Sequence, residues 1–322
     1  MFIQVLILIL GFTLLIVGAN SLVNGASNIA KKFNIPEILI GLTIVALGTS
    51  LPELVVTVIS SVSGNTDILV GNIIGSNICN LLLILGTIAI IKPLKFEKST
   101  IKYNLPLLII ITILILSMGL GLSSQTLFIL NKTHGIILLI IALIYFLYPI
   151  FQYLQTRNKT DKESNIQSTS TNNINIIKCI IQILLGGFAL KYGGDFVVDS
   201  AISIANMINI PERIISLTIV ALGTSLPELV TSIVAIVKHD EDIAEGNIIG
   251  SCIINFCLIL GLGATITDLP LSISYIENLI LLLASCILIW LYALGNKNHT
   301  LLRNNGAILL IIYFIYSIKL FI

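Results

Sequence analysis

Apolar positions along this chain gather into long runs instead of alternating with polar ones. Ten such runs stand out, at roughly 3–30, 36–63, 68–91, 103–123, 133–154, 176–206, 212–237, 243–266, 271–294 and 304–321. About 20 predominantly apolar residues suffice to cross a bilayer as a helix, so each run predicts one transmembrane helix. Only residues 155–175, QTRNKTDKESNIQSTSTNNIN, form a long polar stretch, which reads as a flexible linker. The first run has no basic residue before Lys31 and is too long for the apolar region of a signal peptide, so it reads as a retained helix.

Composition strengthens that picture. Of 322 residues, 56% are hydrophobic and 10% charged, and the mean hydropathy is +1.05. A water-soluble domain carries about a quarter of its residues charged. The net charge of +1 excludes a basic nucleic-acid-binding domain, and the apolar content excludes disorder. Cys79, Cys179, Cys252, Cys257 and Cys286 all fall in apolar stretches without a CxxC motif, and read as buried thiols. His134, His239 and His299 stand at run edges and read as solvated. The expected fold class is an all-α integral membrane protein with ten transmembrane helices, multi-pass in the cell membrane. Its surroundings are the lipid bilayer, with no nucleic acid and no obligate protein partner evident.

Ten spans place both termini on one side. Lysine and arginine crowd the loops after the odd-numbered spans, beginning with Lys31, Lys32 and Lys92, whereas the opposite side has only Lys132, Arg213 and Lys319. Positive charge favours the cytoplasm, so both termini are expected outside and the linker inside.

The two sides of the linker repeat one another at an offset of 175 residues. PEILIGLTIVALGTSLPE (36–53) matches PERIISLTIVALGTSLPE (211–228) at 15 of 18 positions, and GNIIGS (71–76) recurs at 246–251. The domains expected are therefore a first five-helix repeat (1–154), the cytoplasmic linker (155–175) and a second five-helix repeat (176–322). The most similar segments are about 36–91 and 211–266. Five is odd, so the second repeat enters the membrane from the opposite side. Inverted repeats of this kind place substrate sites near the midplane and support alternating access.

Glu53 and Glu228 lie inside otherwise uncharged runs at equivalent positions of the two repeats. A carboxylate at mid-bilayer costs at least ~2.5 kcal/mol. A structural ion pair would offset that cost, but the one basic residue deep in a span, Lys191, has Asp195 one turn away and cannot serve both acids. Protonation of both acids is a second account, and a bound cation is the third, which the neighbours favour. Pro52 and Pro227 precede the glutamates, and Thr49, Ser50, Thr224 and Ser225 add hydroxyls within a turn. Proline frees backbone carbonyls, which are tolerated at membrane depth where they line a cavity or bind an ion. Ser76 and Ser251 follow the close-packing glycines of GNIIGS, with Asn80 and Asn255 four residues later, one turn on along the same face. Such a set is all oxygen, which suits Ca²⁺ and shares its preference with Na⁺.

The paired ALGTSLPE and GNIIGSN-like segments resemble the α-repeats of the sodium/calcium exchanger family, within the cation/calcium exchangers, over essentially the whole chain. The resemblance implies four adjacent ion positions filled by Na⁺ or Ca²⁺. Glu53 and Glu228 would hold Ca²⁺ with Thr49 and Thr224. The Na⁺ positions would draw on the carbonyls of Ala46 and Ala221, the hydroxyls of Ser76 and Ser251, and the same glutamates. Asn80 and Asn255 would line the centre. Relatives with potassium dependence carry an acid where Asn255 stands, and proton-coupled relatives carry GNA-x-E in place of GTS-x-PE.

The function expected is secondary antiport of Na⁺ against Ca²⁺, the two ions being substrates and no cofactor being needed. A site with two carboxylates crosses the bilayer at low cost only when cations fill it, which couples the two ions. Spans 1 and 6, rich in small residues such as Gly18, Gly25, Gly186 and Gly193, are the candidate moving elements, although close packing explains those glycines equally well. The run Asp240, Glu241, Asp242 and Glu245 reads as a solvated acidic loop at a cytoplasmic mouth, with concentration of cations there as the alternative. Ca²⁺/H⁺ exchange, another cation/Ca²⁺ exchange, a channel and a non-transporting scaffold remain alternatives. No nucleotide motif or nucleophile–base pair suggests an enzyme.

Overall fold

The computed structural model describes residues 2–33, 35–120, 129–160, 175–208, 221–295 and 298–321. It is helical almost throughout. Helix α1 (Phe2–Phe33) runs unbroken for 32 residues with no charge before Lys31. The next run divides into α2 (Glu37–Thr49) and α3 (Leu51–Ser63), bent by 48°. There follow α4 (Thr66–Ile91), α5 (Thr100–Gly119) and α6 (Lys132–Thr160). After the linker come α7 (Ile176–Met207), a short piece Ala221–Gly223, and α8 (Leu226–Val237). The chain closes with α9 (Glu241–Ile266), α10 (Ile273–Gly295) and α11 (Arg303–Phe321).

Six of the described helices (α1, α4, α5, α7, α9 and α10) are long and apolar enough to cross a membrane, and α2 with α3 makes a seventh if the bent pair is one span. Helices α6 and α8 are apolar but shorter over the described residues. Residues 209–220, which carry Arg213 and the first four residues of the second LTIVALGTSLPE segment, lie outside the described residues, as does most of the linker.

Helices α4 and α9 form the centre. In their most apolar stretches 78% and 83% of residues are buried, against 22% and 28% for α1 and α7. Those two outer helices pack on each other antiparallel through small residues seven apart. A Cβ on Gly11 would stand 2.9 Å from the Gly193 carbonyl, one on Gly18 2.9 Å from that of Gly186, and one on Gly25 2.8 Å from that of Cys179. Backbone therefore touches backbone along the pair, which is the close approach that small residues permit between membrane helices. Gly246 and Gly250 likewise receive α2, where added Cβ atoms would meet the Leu42 amide and carbonyl at 2.7 Å. The repeat's counterpart of that contact for Gly71 and Gly75 falls on 216–217, outside the described residues.

Two short antiparallel pairs tie loops of the first half to loops of the second. Leu94–Lys95 pairs with Thr300–Leu301, and Ile129–Leu130 with Leu269–Pro270. Among the described residues four stretches, Gly41–Val45, Cys79–Ile84, Thr100–Asn104 and Asn255–Leu260, are π-helical. Such widened turns appear mostly as local bulges and often at functional sites. Asn80 and Asn255 stand at the start of two of them, so the widened turns lie beyond these amides, and the Asn255 N–H still bonds the Ser251 carbonyl as in a regular α-helix.

Two expectations change. His134 is buried, not solvated; its ring accepts the Asn131 N–H at 3.2 Å while Asn131 Oδ1 accepts the His134 N–H at 3.1 Å, closing the start of α6. Glu245 is fully buried, not a loop acid, and its Oε2 accepts the Glu97 N–H at 3.0 Å just ahead of α5. All five cysteines are buried thiols.

Candidate cation-binding site

Proline explains the local geometry at both glutamates. Without an amide proton it suits the first turn of a helix, where that donor has no partner in any case. In SLPE the serine stands just outside the helix, with proline in the first turn and the glutamate after it. Ser50 leaves the α-helical region at φ −84°, ψ 10°, and Ser225 at φ −89°, ψ 1°. Each run therefore breaks and restarts, and Glu53 and Glu228 stand in the first turn of α3 and α8. The helix N-terminus favours negative charge there. Breaking, not kinking, is what brings these acids to the interior.

Both carboxylates are fully buried and each takes one hydroxyl. Ser76 Oγ donates to Glu53 Oε1 at 3.2 Å, and Ser50 Oγ donates to Glu228 Oε1 at 3.0 Å. The second oxygens, Glu53 Oε2 and Glu228 Oε2, have no partner among the described residues. Thr49 and Thr224 lie just before the breaks. Thr49 Oγ1 donates to Asn247 Oδ1 at 2.9 Å, and Thr224 Oγ1 to Asn72 Oδ1 at 3.1 Å. Thr49 also lies 3.4 Å from Ser251 Oγ, and Thr224 3.4 Å from Ser76 Oγ. Each threonine contact joins one half of the chain to the other and maps onto its counterpart at the 175-residue offset, whereas Ser76–Glu53 stays within the first half and Ser50–Glu228 crosses between halves.

The remaining expected groups gather around these. The Ala46 carbonyl faces the hydroxyls of Thr49 at 3.2 Å and Ser251 at 3.5 Å. Ala221 opens the short helical piece before Thr224. Ser225 Oγ, Asn255 Oδ1 and both polar atoms of Asn80 are buried without a partner among the described residues. Asn255 Nδ2 donates to Asn77 Oδ1 at 3.0 Å, and Asn77 Nδ2 to the Cys252 carbonyl at 3.2 Å. Unmet acceptors at this density are uncommon in a folded interior.

Sequence reasoning passed over Asn72, Asn247, Asn77 and Ser232. Asn247 accepts from Thr49 and donates to Ser232 Oγ at 2.8 Å and to the Glu228 carbonyl at 3.3 Å. The signal was present, since an asparagine follows the first glycine of GNIIGS in both halves. Among the described residues no three His, Cys, Asp or Glu side chains gather as a metal cluster. What gathers instead is two carboxylates, hydroxyls and amides, a hard-oxygen set suited to alkali and alkaline-earth cations.

A family model described as sodium/calcium exchanger protein matches residues 3–154 and 178–321. The chain belongs to the sodium/calcium exchanger family. Among its relatives is the sodium/calcium exchanger MaX1 of Methanosarcina acetivorans, 31% identical over 349 residues, covering 98% of each chain. The inner membrane protein YrbG of Escherichia coli is 37% identical over 265 residues, covering 81% of this chain and 79% of its own. Among solved structures, the sodium-calcium exchanger NCX_Mj soaked with zero Na⁺ and Ca²⁺ superposes with a TM-score of 0.81 at 29% identity, covering 98% of both chains. This exchanger is thus a multi-pass helical membrane protein and a cation/Ca²⁺ antiporter.

Proposed function

We propose that the exchanger moves Na⁺ against Ca²⁺ by alternating access. Ten transmembrane helices would form two inverted five-helix repeats (1–154 and 176–322) joined by the cytoplasmic linker 155–175, with both termini outside. The observation that carries the reading is the burial of Glu53 and Glu228 in one oxygen-lined centre, each with one oxygen hydrogen-bonded and the other unpartnered. A dication between them would neutralise both charges. Leaving two carboxylates bare in the bilayer interior is costly, so the emptied centre does not reorient and the two fluxes are coupled.

In this reading Ca²⁺ sits between Glu53 and Glu228 with Thr49 and Thr224. Na⁺ ions use the same carboxylates with the Ala46 and Ala221 carbonyls and the Ser76 and Ser251 hydroxyls. Ser50 orients Glu228 from its break, the Ser225 hydroxyl, unpartnered among the described residues, adds an oxygen for a cation, and Asn80 and Asn255 line the middle. The structures of NCX_Mj were solved after soaks in Na⁺ with Ca²⁺ or Sr²⁺, which supports the same two ion classes here.

The test is ⁴⁵Ca²⁺ uptake into proteoliposomes of the purified chain. Loading the vesicles with Na⁺ should drive uptake, and an imposed pH gradient without Na⁺ should not. Uptake driven by the pH gradient alone would assign H⁺ as the coupling ion and overturn the Na⁺ reading.

A further inference from the structure

Lys191 is the one basic side chain in the middle of a described helix. A lysine at that depth is expensive and, as a rule, functional. Its Nζ donates to Asp195 Oδ2 at 2.8 Å, one turn on along α7, and lies 4.8 Å from the centre of the Tyr192 ring. The pair is not sealed away. It borders a cavity of about 240 Å³ whose walls also carry Asp199, Thr224, Pro52 and Pro227. These are the two prolines that break the runs ahead of Glu53 and Glu228, so the cavity abuts the candidate centre. Thr224 connects the two, because its hydroxyl lies 3.4 Å from Ser76 Oγ, which donates to Glu53.

The cavity is therefore a vestibule with three charges in its wall, Lys191, Asp195 and Asp199. Asp195 is neutralised by the lysine, which leaves one net negative charge. We propose that Lys191 is a specificity-determining residue of the exchanger: it sets the negative potential along the cation path and thereby the balance between divalent and monovalent ions. A dication feels a given potential twice as strongly as a monocation. Any change in vestibule charge therefore shifts Ca²⁺ affinity by the square of its effect on Na⁺. Without the lysine the vestibule would hold two net negative charges and bind Ca²⁺ more tightly; without Asp195 it would hold no net charge and lose its attraction for both ions. The inference rests on the proposed cation centre beside it, but not on Na⁺ being the coupling ion.

The test is a charge series read by the Ca²⁺ KM for uptake into proteoliposomes at low ionic strength. The variants are K191M, K191R, D195N and the double variant K191M/D195N. K191M should lower the Ca²⁺ KM by about fourfold and the Na⁺ KM by about twofold, a change of less than one kT per unit charge. D195N should raise both. K191R and the double variant should stay near the native value, since each restores one net negative charge. The differences should shrink at high salt.

A merely structural helix bridge would give a different result, because K191M and D195N break the same contact and would then move the KM in the same direction. That outcome, or a double variant whose KM departs from the native value as far as either single variant's, overturns the proposal. The coupling-ion reading fails separately, through the choice of driving gradient, and the KM order can be read with whichever gradient drives uptake. Equilibrium ⁴⁵Ca²⁺ binding to the purified protein should give the same order without any transport step; absence of that order there also overturns the proposal.

Discussion

Ser50 Oγ donates to Glu228 Oε1 at 3.0 Å, so the residue that opens α3 holds the acid that opens α8. Ser-x-x-Glu ahead of an apolar run is the pattern of a capping box, in which the serine serves its own helix. Neither Ser50 nor Ser225 makes a side-chain cap bond here. The hydroxyl of Ser50 is committed across the halves instead. A hydrogen bond to a charged group contributes about 1.5–3 kcal/mol. S50A is therefore expected to raise the Ca²⁺ KM roughly ten- to a hundredfold, measured as ⁴⁵Ca²⁺ uptake; an unchanged KM would show that this bond plays no part in holding the site.

Asn247 joins three groups, Thr49, Ser232 and the Glu228 carbonyl, while its counterpart Asn72 accepts from Thr224 and leaves its own Nδ2 unpartnered among the described residues. Unpairing a buried polar group costs about 1–3 kcal/mol. N247A should accordingly lower the unfolding temperature in detergent more than N72A does, and both should weaken Ca²⁺ uptake. Equal losses of stability would contradict the asymmetry.

Gly186 and Gly187 are neighbours with opposite tolerance. A Cβ on Gly186 would lie 2.7 Å from the Leu22 amide and 2.8 Å from the Gly18 carbonyl, whereas one on Gly187 would meet nothing within 4 Å. G186A should separate α1 from α7 and cost about 1–3 kcal/mol by overpacking. G187A should be neutral or slightly stabilising. Thermal unfolding of the two variants side by side checks this.

Glu245 is as deeply buried as the site acids but serves a backbone donor, the Glu97 N–H. An amide accepts that bond as well as a carboxylate does. E245Q is expected to transport Ca²⁺ at close to the native rate, while E245L leaves the N–H unpaired and lowers stability by about 1–3 kcal/mol. Abolished transport in E245Q with intact folding would place a third acid in the ion path.

The membrane class, the run boundaries near α1, α4, α7 and α9, and the pairing of Glu53 with Glu228 were legible in the chain, because hydropathy and a repeated motif are local signals. Prolines 52 and 227 marked where the runs change direction. The sequence could not show that the helices restart there, since a kink and a break share the same proline. Nor could it show which half's serine serves which glutamate, or that His134 and Glu245 turn inward. Those depend on contacts between residues far apart in the chain, which periodicity does not carry. Asn72 and Asn247 were visible as repeated letters, but only the cross-half bonds to Thr224 and Thr49 give them a role.

The most direct test compares native protein with E53Q and E228Q for ⁴⁵Ca²⁺ uptake into Na⁺-loaded proteoliposomes, after confirming that each variant folds and inserts. Glutamine keeps the size and one acceptor oxygen while removing the charge and turning the other oxygen into an NH₂ donor. Each single variant is predicted to lose at least about a hundredfold in uptake, because a half-charged centre no longer neutralises Ca²⁺. Uptake at the native rate by both variants would contradict the account.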